Sequence, residues 1–216
     1  MALFPMFLKL ARRKCIVVGA GTIAEGKITS LLNAEAEVTV VAPVINMAVR
    51  QFASLGCVAL IEREFVPEDL SGAFLVIAAT SNDEVNSAVH EEAQRRGVLC
   101  NAVDDPDNCD FYFPAVVERG ALQIAISTAG ESPALAQRLR AEIEEQLDVA
   151  TGDWLARVGK ARREALATIP PGEERRRLLH RLSTREICDS TECPSRKLIA
   201  KARESAALQR NAGVNT

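Results

Sequence analysis

Cys15-Ile-Val-Val-Gly19-Ala-Gly21-Thr-Ile-Ala24 decides the fold. A short β-rich run ends in glycine, and a helical stretch from about Thr22 to Asn33 follows at once. Gly-x-Gly-x-x-Ala between a strand and a helix is the dinucleotide turn. The first glycine makes the turn, the second admits the backbone to a pyrophosphate, and the small third residue packs helix on strand. The helix N-terminus then faces the phosphates with its free N–H groups.

Outward from this turn, strands and helices alternate. Glu37–Val41 reads as a second strand closed by Pro43, with a helix through about Leu55, and Val58–Glu62 as a third strand. Ala73–Ala78 is the fourth and most apolar, as suits a central strand covered on both faces. Ser81-Asn-Asp-Glu84 opens a helix that runs to Arg96 and stops at Gly97, and Val98–Asn101 is the fifth strand. Such alternation predicts βαβ units and a parallel sheet.

The pattern then breaks. Phe111–Glu118 and Ala121–Ile126 read as two strands joined by a tight turn at Arg119-Gly120. Ser132 as N-cap and Pro133 at the first helical position start a helix to about Leu147. From Trp154 the chain reads as helical and Arg-rich, broken at Pro170-Pro171-Gly172. The predicted class is α/β: a Rossmann-type parallel sheet over 1–113, a small α+β dimerisation region over 114–150, and a helical C-terminal portion over 151–216. A hairpin with one helix is too small for an independent core, which predicts a homodimer built through about 114–148.

The 216 residues, 48% hydrophobic and 25% charged, have the composition of an ordinary globular protein. A net charge of −3 favours neither nucleic acid nor membrane as partner, but the charge is uneven. Residues 1–150 carry 12 Lys/Arg against 21 Asp/Glu, and residues 151–216 carry 14 against 8. The basic portion reads either as a contact for an anionic ligand or as solvated helical faces. No C-x-x-C pair occurs among the six cysteines; Cys15, Cys57 and Cys100 lie in or beside apolar runs and read as small core residues. Reduced thiols, a short apolar N-terminus that reads as folded structure, and no apolar run of about 20 residues together predict a cytoplasmic protein.

Four further segments bear on chemistry. At the end of the second strand, where an acid usually meets the ribose, stand Val41-Ala42-Pro43-Val44, and backbone groups with apolar contact are the expected hold on the adenosine end. No arginine stands there for a 2′-phosphate, which favours NAD. Thr80, after the fourth strand, could hydrogen-bond a ribose or carboxamide, or merely belong to the cap of the next helix. Asp104 and Asp105 close the fifth strand. A carboxylate there could take a proton as hydride leaves, best if burial raised its pKa, or it could be a solvated Asp-Asp-Pro turn. Ser127-Thr-Ala-Gly-Glu-Ser-Pro133 opens a helix, where exposed N–H groups bind carboxylates or phosphates. Cys188-x4-Cys193 lacks further ligands nearby, and no resident metal is predicted.

These residues resemble a family. Leu3-Phe-Pro-Met-Phe-Leu8, Val17-Val-Gly-Ala-Gly-Thr-Ile-Ala24, Val40-Val-Ala-Pro43 and Ala78-Ala-Thr-Ser81 look like the precorrin-2 dehydrogenases. Asn101-Ala-Val-Asp-Asp-Pro106, Phe111-Tyr-Phe-Pro-Ala115 and Ile126-Ser-Thr-Ala-Gly-Glu-Ser-Pro133 match the same family, which includes the sirohydrochlorin ferrochelatases and the N-terminal module of siroheme synthase. The resemblance covers about residues 1–150; beyond that it is architectural.

The resemblance implies oxidation of precorrin-2 to sirohydrochlorin with NAD, and, in many members, insertion of Fe2+ as a substrate in the same cleft. The family's key aspartate carries over to Asp104, not Asp105. Cofactor contact is expected at Gly19, Gly21, Thr22, Ile23, Ala42, Pro43, Val44, Thr80, Asn101 and Val103. Substrate contact is expected at Ser127, Thr128, Ser132 and Arg138. Ala129-Gly130-Glu131 departs from the family's usual Gly-Gly and basic or small residue, which argues against Glu131 touching a polycarboxylate. Two other classes compete. A dinucleotide-sensing regulatory module would need the turn but no acid in the cleft, and a hydroxy-acid dehydrogenase would need a His, Lys or Tyr acid/base that neither His90 nor Tyr112 suits.

Overall fold

The computed structural model describes residues 3–183 together with 197, 199–202 and 204. Cys188 and Cys193 lie outside the described residues. The chain divides into two compact units, one ending at Phe113 and the other beginning at Pro114.

In the first unit, β1 (Lys14–Val18), β2 (Glu37–Val41), β3 (Val58–Ile61), β4 (Leu75–Ala78) and β5 (Leu99–Ala102) form one parallel sheet in the order β3-β2-β1-β4-β5. Cys15 stands level with Val38 on one side and Leu75 on the other. From β1 the chain winds outward through β2 and β3, then crosses back to β4, so strand order reverses between β1 and β4. In open α/β sheets, ligands bind at that reversal, outside the carboxyl ends of the strands.

Period-two alternation divides β1 between the two faces of the sheet. Cys15 and Val17 pack with Ala24, Ile28 and Leu31 of α1 (Thr22–Asn33) and with Val49 of α2 (Met47–Ser54). Ile16 and Val18 pack with Val89 and Ala93 of α3 (Asp83–Arg96). All four residues of β4 are buried, as the apolar run predicts for a central strand. Gly97, at φ 67°, closes α3 in the left-handed conformation.

Two expectations for this unit fail. Cys57 is exposed rather than core. It precedes β3, and the first inward position falls on Val58, which is buried. The apolar N-terminal run is not packed structure either. Residues 3–9 have no regular secondary structure, Phe4, Met6 and Phe7 are exposed, and the first buried side chain is Leu10.

In the second unit, β6 (Ala115–Arg119) and β7 (Leu122–Ile126) form the antiparallel hairpin, with Arg119 opposite Leu122. Its first strand starts at Ala115, four residues later than the apolar run suggests, because Phe111–Pro114 belongs to the loop that precedes it. Gly120, at φ 59°, takes the first position of the two-residue turn. The turn approaches α5 (Thr151–Thr168) so closely that a Cβ on Gly152 would lie 3.0 Å from the Arg119 carbonyl. Ser132 caps α4 (Pro133–Gln146) by accepting from the Leu135 N–H. Arg119 ties the hairpin to the end of α4, donating to the carbonyls of Glu144 and Leu147 and to the Glu144 carboxylate. Ala161, Ala165 and Ile169 pack with Leu178 of α6 (Glu173–Arg181) and with Leu182. No helix among the described residues is long and apolar enough to cross a membrane.

Candidate functional site

The turn after β1 is held by backbone hydrogen bonds: the Gly19 N–H donates to the Val41 carbonyl and the Ala79 N–H to that of Val18. Gly19 adopts φ 107°, and a Cβ there would lie 2.3 Å from the Ala79 carbonyl oxygen. Gly21 differs. It is the N-cap of α1 at φ −86°, supplies no side-chain cap, and a Cβ there would meet nothing within 4 Å. Ala24, the small third residue, is fully buried between helix and sheet. The uncapped first turn of α1 therefore opens onto free space beside the strand reversal, which fits a pyrophosphate.

Around it, Thr22, Ile23, Pro43 and Val44 are exposed, with Ile23 53% and Val44 81% accessible, whereas Ala42 is buried. Exposed aliphatics flanking this open turn suit the apolar contact expected for the adenosine end. Asn46, at the start of α2, fixes this corner by donating its own N–H to the Ala20 carbonyl and accepting from the Val49 N–H.

Thr80 is engaged within the protein. Its hydroxyl donates to Asn86 Oδ1 (2.8 Å) and accepts from the Asn82 N–H, while Asn86 Nδ2 donates to the Thr80 carbonyl (3.1 Å). Asn82 is the N-cap of α3, so Thr80 takes part in a helix-start network. Asn86, 4% exposed, organises that network and is a residue that sequence reasoning missed. Its only signal is its place one turn after the N-cap.

The segment after β5 folds back on the strand. Asp110 Oδ2 accepts from the Cys100 N–H, the Asp110 N–H donates to the Cys100 carbonyl, and Gln94 donates to the Asp110 carboxylate. Asn101 is buried and donates to the Phe111 carbonyl (2.8 Å) and the Cys109 sulfur, so its amide braces the loop. Cys109 donates to the carbonyls of Ala102 and Asp105, and Asp105 accepts from Asn108. Val103 is half-buried.

Asp104 stands at the tip of this braced loop at φ 63°, a left-handed conformation that aspartate tolerates better than most residues. Among the described residues no hydrogen bond holds its carboxylate, and it is exposed. The burial that would have favoured it as a base is absent. Lys27 of α1, which sequence reasoning also missed, stands within electrostatic reach of Asp104. Lys27 is half-buried, with Nζ 3.6 Å from the centre of the Phe113 ring. Burial pushes its pKa down, while Asp104 and the Cys109 thiol push it back up.

In the second unit, Ser127 Oγ accepts from the Ala129 N–H and Thr128 Oγ1 from the Ser132 N–H. Ala129 (φ 50°) and Gly130 (φ 87°) make the left-handed bend between them. Arg138 pairs with Glu142 at 3.1 Å on an exposed helix face, Arg140 pairs with Glu144, and Arg177 with Glu173. No cluster among the described residues could hold a metal ion.

Comparison with known proteins adds the family. Residues 6–115 match the family described as "Putative NAD(P)-binding", and residues 119–146 match the one described as "Sirohaem biosynthesis protein central". Siroheme synthase 1 of Aeromonas hydrophila is 39% identical over 86% of this chain and 40% of its own length. The siroheme synthase of Thioalkalivibrio sulfidiphilus is 36% identical over 99% of this chain and 44% of its own. The chain thus spans less than half the length of these curated relatives. The solved structure of SirC, a precorrin-2 dehydrogenase, superposes with a TM-score of 0.74 at 24% identity, covering 94% of this chain and all of SirC, and shows the same fold. With the match running through the glycine turn, the sheet and the Asn101–Pro114 loop, this chain belongs to that NAD(P)-binding family.

Proposed function

We propose that this chain oxidises precorrin-2 to sirohydrochlorin with NAD, in the formation of siroheme. The observation that carries the reading is the pairing of an open, uncapped α1 turn with a braced loop that presents Asp104 beyond β5. Two strand spacings, about 10 Å, separate β1 from β5, within the span of one nicotinamide nucleotide. The siroheme synthases among the relatives and the fold shared with SirC support the choice of substrate.

NAD, when bound, supplies the two-electron acceptor. Gly21 and the first N–H groups of α1 would hold its pyrophosphate, and Ile23, Pro43 and Val44 would flank the adenosine end. The absence of arginine after β2 favours NAD over NADP. The substrate loses a hydride and a proton overall, giving sirohydrochlorin and NADH. Asp104 receives that proton on a carboxylate oxygen and passes it to solvent, which its exposure allows.

In the second unit we assign substrate contact to Ser127, Thr128, Ser132 and Arg138. Each of the three hydroxyls already accepts a backbone N–H, which leaves its O–H free to donate to a substrate carboxylate. The same Asp104 carboxylate would serve Fe2+ insertion, where pyrrole N–H protons must leave. The test is Asp104→Ala. The folded variant should lose most metal insertion, with an equal or smaller loss of dehydrogenation. Wild-type rates in both reactions would sink the assignment.

A further inference from the structure

Lys27 lies outside the cofactor turn, yet its ammonium stands within electrostatic reach of the Asp104 carboxylate. Ala24, Ile28 and Leu31 form the buried stripe of α1, and Lys27 leaves the helix at the edge of that stripe. Its ammonium lies against the Phe113 ring, at the end of the loop that carries Asp104, and not at the N-terminus of α1. The carboxylate that acts on it is that of Asp104. Among the described residues it makes no direct ion pair, in contrast to Arg50 with Glu62 and Arg63 with Asp69 on the same unit. A half-buried ammonium held against an aromatic face, with no carboxylate bonded to it, is poised to receive an anion from outside.

We propose that Lys27 is a substrate-binding residue that takes a carboxylate of the tetrapyrrole and thereby sets the macrocycle against Asp104. The inference rests on the proposed function and names a recognition element for the polycarboxylate substrate of that site. Phe113 fixes where the ammonium stands. Asp104, lacking a direct bond to Lys27, keeps its carboxylate for the proton.

The experiment compares wild type, Lys27→Ala and Lys27→Arg, with Lys9→Ala as a control for loss of an exposed positive charge. Uroporphyrin, a tetrapyrrole with eight carboxylates, is titrated into each by fluorescence, NAD is titrated separately, and precorrin-2 oxidation gives kcat and KM. Lys27→Ala should weaken uroporphyrin binding and raise the precorrin-2 KM about tenfold, as loss of one charge-assisted contact does. NAD affinity and thermal midpoint should stay near wild type, and Lys27→Arg should restore most of the binding. Unchanged uroporphyrin affinity in Lys27→Ala, or a loss confined to NAD or to the thermal midpoint, would overturn the proposal. If no variant oxidises precorrin-2 but uroporphyrin binding still depends on Lys27, the oxidation fails and the binding role stands.

Discussion

The backbone of Gly19 lies so close to Ala79 that a Cβ on Gly19 would sit 2.3 Å from the Ala79 carbonyl oxygen. That contact joins the turn after β1 to the end of β4 at the strand reversal, and it separates the two glycines of the motif. Gly19→Ala meets both left-handed strain and backbone overlap, and should cost about 3–5 kcal/mol of stability. Gly21→Ala, at φ −86° and facing open space, should fold normally, whereas Gly21→Asp should fold and lose NAD binding through bulk and charge at the pyrophosphate. Chemical denaturation and NAD titration of the three variants check this. Normal NAD binding by Gly21→Asp would make the turn structural only.

Asn86 holds the Ala79-Thr80 corner from beneath. Asn86→Ala leaves the Thr80 N–H, hydroxyl and carbonyl short of partners, and should cost about 2–3 kcal/mol. NAD affinity should fall with it, because the same corner packs against Gly19. Unchanged stability by urea denaturation would contradict this account of Thr80.

The thiols give a pH test. Burial pushes Cys15 up to about 11, and burial, then Asp110 and Cys109, push Cys100 up to about 12, from an ordinary value of 9.0. The folded protein keeps these protons while the unfolded chain loses them. Their contribution to stability is therefore full below pH 9.0 and is lost as pH rises through that value to about 11 and 12. The urea midpoint should fall above pH 9.0. In native protein at neutral pH, peptide mapping after alkylation should find Cys57 modified and Cys15 and Cys100 protected.

Self-association through the second unit remains our proposal. Leu122, Ile124 and Ile126 of β7 are only half-buried, and Leu135 and Val149 are exposed. Apolar surface of this kind marks a contact. Sedimentation at micromolar concentration should give a homodimer, and Leu135→Glu should weaken it; a monomeric wild type would refute the assignment.

Much of the first unit was legible in sequence because its signals are local. The glycine turn, the helix opening at Ser81–Glu84 and the Gly97 stop each depend on residues within a few positions, as does the Ser132 cap in the second unit, and α1 and α4 begin where those residues predict. What escaped was long-range. Lys27 meets Phe113 across 86 positions, and no periodicity marks which flank of α1 faces the Asp104 loop. Asn101 lies in a motif associated with the cofactor, yet its amide is turned onto Phe111, a bond visible only once the loop is folded back. Cys57 was misassigned because an apolar neighbourhood does not specify which residue of a strand start faces inward.

Removal of a hydride and a proton from precorrin-2 is the reaction we propose for this chain. Anaerobic incubation of the purified protein with precorrin-2 and NAD, followed by absorbance, tests it most directly. The account predicts NADH appearing in equal amount with the sirohydrochlorin spectrum, abolished by Gly21→Asp. Precorrin-2 persisting unchanged, with NAD bound but not reduced, would contradict it.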